Sequence, residues 1–294
     1  MKNNNIKELV VLSGKGGTGK TTITAAIASL VDSLVLADCD VDAADLHLLT
    51  QPKIIEQNKF IEGKEAIVNL DKCTGCGLCA SMCRFDAFKQ LDDGLYSVVE
   101  VKCEGCGLCV HYCSEKAIDF VDRDCGIWMI SETRFGTMVH ARLKPAGENS
   151  GLLVSLVRKE ARKIAQKEGK KLILVDGPPG IGCPVISSVT GSSAVLLVTE
   201  STLSGLHDLS RVAQLAQNFE VPVYVVINRA DINIEISEAI KKECEKLKVN
   251  FVGMIPFDKQ IVNSQLAGQS VIEYISTETK NIIKDIWERV WTTM

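Results

Sequence analysis

Short runs of aliphatic and β-branched residues alternate along the chain with longer amphipathic stretches, which predicts parallel strands separated by helices. Strands are expected at Glu8–Leu12, Leu34–Ala37, Lys171–Val175, Ala194–Thr199, Val223–Asn228 and Asn250–Ile255. Their apolar character is continuous rather than alternating, as strands covered on both faces require. Helices are expected at Lys20–Leu30, Leu152–Glu168, Ser204–Phe219, Ile234–Leu247 and Thr277–Thr292. The fold class that follows is α/β, a doubly wound and mostly parallel sheet.

Between Gly63 and Asp124 the rhythm breaks. Glycine-spaced cysteine loops and an acidic turn, Asp92-Asp93-Gly94, replace the strand–helix alternation. One run reads Cys73-x-x-Cys76-x-x-Cys79-x-x-x-Cys83, and thirty residues later Cys103-x-x-Cys106-x-x-Cys109-x-x-x-Cys113 repeats its spacing. Each is followed by a short polar–apolar stretch, Ala87-Phe88-Lys89 or Ala117-Ile118-Asp119. This is an internal duplication set into a surface connection, where insertion costs little because the loop ends already lie close. The expected domains are 1–62 with 125–294, and an α+β insert at 63–124.

At 294 residues and 46% hydrophobic, the chain is long and apolar enough for one large domain with a small insert. Its 33 basic and 37 acidic residues leave −4, with no long basic run, which argues against nucleic acid as the main partner. The apolar run before Ser13 is too short for a signal-peptide core, and no stretch reaches the length of a membrane span. A cytoplasmic location is expected. Twelve cysteines at repeated close spacing then point to metal rather than disulfides. Cys39, Cys125 and Cys244 are expected in the core; Cys183 is left open.

Gly14-x-x-x-x-Gly19-Lys20-Thr21 follows a predicted strand and opens a predicted helix, the setting of a phosphate-binding loop. Backbone amides over Gly14, Gly16, Gly17, Thr18, Gly19 and Thr22 can cradle phosphate oxygens of ATP. Lys20 is expected on the β- and γ-phosphates and Thr21 on Mg²⁺. The cysteine spacing is that of bacterial ferredoxins with two [4Fe–4S] clusters, in which the fourth cysteine of each run serves the other cluster. One cluster would then take Cys73, Cys76, Cys79 and Cys113, the other Cys103, Cys106, Cys109 and Cys83. Structural zinc is the alternative, though its sites seldom use three cysteines at consecutive three-residue steps. Arg84 and Ser114 stand where a proline usually follows the fourth cysteine; Arg84 either raises a cluster potential or is a solvated arginine.

With its additional lysine, Lys15-Gly16-Gly17-Thr18-Gly19-Lys20-Thr21-Thr22 resembles the deviant phosphate loop of MinD/ParA-type ATPases, relatives of the nitrogenase iron protein and Mrp-type carriers. The resemblance covers residues 6–50 and roughly 125–290. It implies an ATP-dependent homodimer in which Lys15 reaches the partner's phosphates; a solvated lysine is the plainer reading. It implies Asp38 near Mg²⁺, Asp40 orienting the attacking water and Asp176 holding a metal-bound water. It implies Asn228 reading adenine beside Arg229, with Pro256 in a loop packed on the base. With the cysteine runs included, the whole chain resembles the subgroup of these ATPases that carries an inserted ferredoxin domain.

Cys183 corresponds to a cysteine that bridges subunits in the nitrogenase iron protein, whose second bridging cysteine would fall near Ser150, where there is none. Either Cys183 meets its symmetry mate on a metal or it is a small buried hydrophobe. His111 lies between Cys109 and Cys113, where it can tune a cluster. The stretch from Arg134 to Gly151 is glycine-containing and basic; it either couples the insert to the nucleotide site or is simply a loop. The last helix carries Ile282, Ile283, Ile286, Val290 and Trp291 at helical spacing amid mixed charge, expected to dock on the core rather than on a membrane. Three functions are compatible: ATP-gated electron transfer to a protein acceptor, iron–sulfur assembly for a cluster acceptor, or a redox-sensing positioning ATPase. Tightly held, fully ligated clusters favour the first.

Overall fold

A computed structural model describes residues 6–144, 150–274 and 278–294 of the chain. The chain begins with β1 (Lys7–Ser13), α1 (Lys20–Ala28), β2 (Leu34–Asp38), α2 (Leu46–Thr50) and the long β3 (Lys53–Val68). There follow α3 (Leu78–Met82), β4 (Phe88–Gln90), β5 (Tyr96–Val98), α4 (Leu108–Tyr112) and a second long strand, β6 (Ile118–Thr133). The remainder runs β7 (Gly136–Leu143), α5 (Ser150–Glu168), β8 (Leu172–Pro179), α6 (Cys183–Val189), β9 (Ala194–Glu200) and α7 (Leu203–Asn218). It ends with β10 (Val223–Asn228), α8 (Ile234–Leu247), β11 (Asn250–Ile255), α9 (Lys259–Leu266), α10 (Val271–Tyr274) and α11 (Glu278–Thr293).

Among the described residues two units are formed: 6–58, 128–142, 150–274 and 278–294 make one, and 59–127 with 143–144 the other. The chain passes between them within β3, within β6 and again at the end of β7. The larger unit is built on a sheet of order β11-β10-β9-β1-β8-β2-β7-β6-β3. The pairs from β11 to β7 are parallel. Leu9–Leu12, Leu34–Ala37, Leu172–Val175 and Ala194–Val198 have no exposed surface. These continuous apolar runs are what made the strands legible. Parallel register sets Asp38 beside Asp176 on one side and His140 on the other, so carboxylates gather at the ends of adjacent strands. Ile283, Ile286, Trp287 and Val290 of α11 enter the same core as Leu9 and Leu36, which docks the last helix on the sheet. Among the described residues no helix is long and apolar enough to cross a membrane.

The loop reading of the stretch from Arg134 to Gly151 needs correction. Gly136–Leu143 is strand β7, with Met138, Val139 and Ala141 buried, and a two-residue turn at Arg134-Phe135 joins it to β6. Thr133 Oγ1 closes that turn by donating to Gly136 O at 2.7 Å and accepting from Phe135 N at 3.2 Å. Helix α5 begins at Ser150, two residues before the expected start, and β8 continues past Val175 to Pro179. Residues 1–5, 145–149 and 277, which entered the expectations above, lie outside the described residues.

The smaller unit shows the sequence duplication as structure. Helices α3 and α4 each follow a left-handed glycine, Gly77 (φ 74) and Gly107 (φ 72), where a side chain would be strained. Each is capped at its C-terminus by the fourth cysteine of its run, and the chain takes positive φ three residues later at a non-glycine residue, Asp86 (φ 50) or Lys116 (φ 48). An antiparallel pair, β4 with β5, sets Phe88 against Val98. Ala66, Ala87, Cys103 and Ile118 form a small core with Cys79, Cys83, Cys109 and Cys113 packed on it. Thiols thus do much of the packing that aliphatic side chains do elsewhere.

Candidate functional site

Strand β1 ends at Ser13, whose hydroxyl donates to Lys15 O at 2.8 Å and closes the entry to the glycine loop. Gly19 opens α1 in a left-handed conformation (φ 94), and a Cβ there would stand 2.4 Å from Asn228 Nδ2. Only glycine fits both constraints. No side chain caps α1, so its first-turn amides are available to an anion. The loop lines a cavity of about 590 Å³ with Gly16, Gly17, Gly19, Lys20, Thr21, Thr22 and Asp40.

Lys20 is the electrostatic centre. Its Nζ lies 3.2 Å from Asp40 Oδ2 and 3.2 Å from Asp176 Oδ1. Burial works against its charge, but Asp176, Asp40 and Asp38 outweigh that and raise its pKa. Asp176 also accepts from Thr21 Oγ1 at 2.7 Å and Thr24 Oγ1 at 2.9 Å. Asp38 is fully buried; burial and then the neighbouring Asp176 push its pKa well up. Its Oδ1 accepts from Asp40 N at 3.3 Å, whereas Oδ2 is buried without a hydrogen-bond partner. An orphaned carboxylate oxygen beside Asp176 and Thr21 fits a donor set for a hard, oxygen-seeking cation. Burial raises the pKa of Asp40 too, against the pull of Lys20.

Lys15 stands apart from this group. It pairs with Glu200 at the end of β9 and donates to Ser204 Oγ at 3.0 Å. Glu200 also accepts from Arg229 Nη1 at 3.3 Å, so one carboxylate holds two basic side chains. Gly14 packs on Asp208 of α7, and Thr22 Oγ1 accepts from Gln265 Nε2 at 2.6 Å. Thr18 is buried with its hydroxyl unpartnered. Asn228 donates from Nδ2 to Thr18 O at 2.8 Å and accepts from Arg229 N at 3.0 Å, which ties the end of β10 to the glycine loop. Arg229, Pro256 and Phe257 complete that wall of the cavity. Glu200, Ser204, Thr24 and Gln265 escaped the sequence reading. The strand-end position of Glu200 was the available signal, but its partner lies 185 residues away.

In the smaller unit two cavities lie against the cysteines. One is lined by Cys73, Cys76, Cys79, Cys109 and Cys113, the other by Cys79, Cys83, Cys103, Cys106 and Cys109. Cys83 Sγ accepts from Ala87 N at 3.4 Å, and Cys113 Sγ from Ala117 N at 3.3 Å. Burial raises the thiol pKa of Cys79 and pushes that of Cys109 up to about 11. Among the described residues no three His, Cys, Asp or Glu side chains converge as a single-ion site. The thiols line the two cavities instead. Cys39, Cys125 and Cys244 are buried, as expected, whereas Cys183 is exposed at the start of α6 and is not a core residue.

The profile of the CobQ/CobB/MinD/ParA nucleotide binding domain matches residues 9–271. An uncharacterized protein of Methanocaldococcus jannaschii, MJ0578, is 29% identical over 288 residues, covering 97% of this chain and 96% of its own. Among solved structures, MinD from Pyrococcus horikoshii with Mg-ADP superposes with a TM-score of 0.58 at 18% identity, over 97% of this chain and 96% of that one. A chain of the MinC:MinD cell division protein complex of Aquifex aeolicus gives 0.58 at 19% identity, over 97% and 96%. At these identities the structures establish the shared fold.

Proposed function

Since the chain belongs to the CobQ/CobB/MinD/ParA nucleotide-binding family, we propose that it binds and hydrolyses ATP as a homodimer and so controls electron transfer from two [4Fe–4S] clusters to a protein acceptor. The observation that carries the nucleotide reading is the convergence of Lys20, Thr21, Asp38, Asp40 and Asp176 where the glycine loop meets the cavity. On binding ATP, Lys20 exchanges its carboxylate partners for β- and γ-phosphate oxygens. Thr21, with Asp38 and Asp176, would hold Mg²⁺, which neutralises charge on the phosphoryl oxygens. Asp40, less acidic than an ordinary carboxylate, is suited to accept a hydrogen bond and a proton from the attacking water. Lys15 completes the partner's site once released from Glu200, while Asn228, Arg229 and Pro256 receive the base.

What supports the cluster reading is the composition of the two cavities. Cys73, Cys76 and Cys113 border one and Cys103, Cys106 and Cys83 the other, with Cys79 and Cys109 bordering both, so each fourth cysteine lies with the run it would serve if the fourth cysteines exchange. Bound there, the clusters supply one-electron chemistry. The backbone N–H groups on Cys83 and Cys113 would stabilise negative charge on sulfur.

Protein purified without oxygen should contain about eight iron and eight acid-labile sulfide per chain and bind ATP. Cys83→Ser should damage the cluster held mainly by the second run, and Cys113→Ser that held by the first. Zinc at full occupancy, or loss confined to the run that was mutated, contradicts the cluster reading. Lys20→Ala should retain its iron and lose ATP binding; retained binding contradicts the nucleotide reading.

A further inference from the structure

The repeat in the smaller unit sets two cysteine-bordered cavities side by side, built from equivalent residues thirty apart. A Cβ on Gly75 would stand 2.8 Å from Gly94 O, and one on Gly105 would stand 2.2 Å from Lys64 O, so one close approach is made twice. Two residues beyond those carbonyls the equivalence breaks. Tyr96 of β5 borders the first cavity, where Ala66 of β3 borders the second. Four hydroxyl-bearing residues, Thr74, Tyr96, Tyr112 and Ser114, border the first cavity; among the described residues no serine, threonine or tyrosine borders the second. Phe85, Phe88 and Phe120 line that one instead, with Arg84 and Glu104 of opposite charge.

The four hydroxyls differ in what else they can bond. Ser114 Oγ donates to Glu115 Oε1 at 3.1 Å, and Thr74 and Tyr112 are exposed, where water competes for them. Tyr96 is half-buried, and its hydroxyl has no hydrogen-bond partner among the described residues. That hydroxyl lies over Gly77, where a Cβ would meet its oxygen at 3.1 Å, and Gly77 borders the same cavity. Over the matching Gly107 stands the ring of Phe120, 3.4 Å from such a Cβ and without a donor. A phenol donates one hydrogen bond, and a donor to cluster sulfur favours the reduced, more negative form, which raises the potential. Arg84 would act in that direction on the second cavity and Glu104 against it, while Glu115 would act against it on the first. All three are exposed, and solvent screens them.

We propose that the Tyr96 hydroxyl donates to the cluster of Cys73, Cys76, Cys79 and Cys113 and makes it the higher-potential carrier of the two. The inference rests on the cluster reading above. A redox titration of the anaerobic full chain tests it, followed by visible absorbance and electron paramagnetic resonance, in the wild type, Tyr96→Phe and Phe120→Tyr. Iron and sulfide analysis and thermal unfolding check each preparation. Each site takes up one electron from the titrant, with no bond made or broken. At a given potential the reduced-to-oxidised ratio of the upper step should exceed that of the lower about tenfold, a separation of about 59 mV. Tyr96→Phe should lower the ratio of the upper step about threefold, about 28 mV by the same conversion, and leave the lower step in place. Phe120→Tyr supplies a hydroxyl at Gly107 and should raise the lower step. Coinciding wild-type steps overturn the inequivalence. A Tyr96→Phe variant that keeps its iron and moves only the lower step, or neither, overturns the role of the hydroxyl. So does a Phe120→Tyr variant that keeps its iron and moves neither step. Wild-type protein without about eight iron per chain overturns the cluster reading, and this inference with it.

Discussion

Lys15 and Lys20 are five residues apart in one loop yet sit in different electrostatic company. Lys20 is buried among three carboxylates, so its removal does more than delete a phosphate ligand. Lys20→Ala leaves Asp38, Asp40 and Asp176 without their cation, and both ATP binding and stability should fall. Lys15, held by Glu200 and Ser204 outside the cavity lining, should behave differently. Lys15→Ala should keep ADP affinity in the monomer within about threefold and lower ATP-dependent dimerisation and hydrolysis by about tenfold or more. Sedimentation and a steady-state ATPase assay check this; normal hydrolysis by a dimeric Lys15→Ala contradicts the role given to that lysine. His140 offers a pH test. It is buried with Nε2 2.8 Å from Ser131 Oγ, and burial, then His47 and Arg142, lower its pKa to about 4. The unfolded chain binds this proton near pH 6.5 and the folded chain does not. Stability from this residue is therefore present above about 6.5 and is lost as pH falls toward 4, by up to about 3 kcal/mol. Denaturant unfolding between pH 7 and 4 should show the slope, and His140→Gln should reduce it.

Among elements, legibility followed burial. The strands β1, β2, β8, β9, β10 and β11 are apolar along their length and could be read from pattern alone. Strand β3 could not: most of Lys53–Val68 is exposed, including Ile54 and Ile55, so neither a continuous apolar run nor a clean alternation marks it. Strand β7 carries Thr137, His140 and Arg142 among its apolar positions, which gave it the look of a basic loop. The glycine loop and both cysteine runs were visible because their chemistry is local in sequence. Partners that depend on the fold, such as Glu200 for Lys15 or Asp231 for the Phe257 amide, were not. Glu8 belongs to the same class. It is a buried carboxylate on β1 that receives Arg158 and Arg162 from α5, and Arg158 also reaches Ser187 O and Thr190 O at the end of α6. This one side chain holds two helices to the first strand. Arg158→Ala strands much of the Glu8 charge and should cost about 3–5 kcal/mol in unfolding free energy. A loss under about 1 kcal/mol would show that Arg162 alone suffices.

For the whole molecule, the central claim is that the nucleotide state and the electron carriers speak to each other. The chain enters and leaves the cysteine-bearing unit through β3 and β6, and β6 returns through the Arg134-Phe135 turn. Arg134 donates to Leu49 O at 2.6 Å and pairs with Glu273 at 2.9 Å. Leu49 lines the nucleotide cavity, as does Val271 of α10. In the proposed mechanism, a closure that moves these walls would act on β6, whose first half belongs to the cysteine-bearing unit. A nucleotide can shift the carriers only by its differential affinity for their two redox states, typically about 1–3 kcal/mol. For a one-electron couple a tenfold difference corresponds to about 59 mV. The decisive measurement is a redox titration of the anaerobic protein without nucleotide, with ADP and with a non-hydrolysable ATP analogue. A shift on the order of tens of millivolts in at least one cluster is the expected result; titrations that coincide in all three states would contradict nucleotide control of electron transfer.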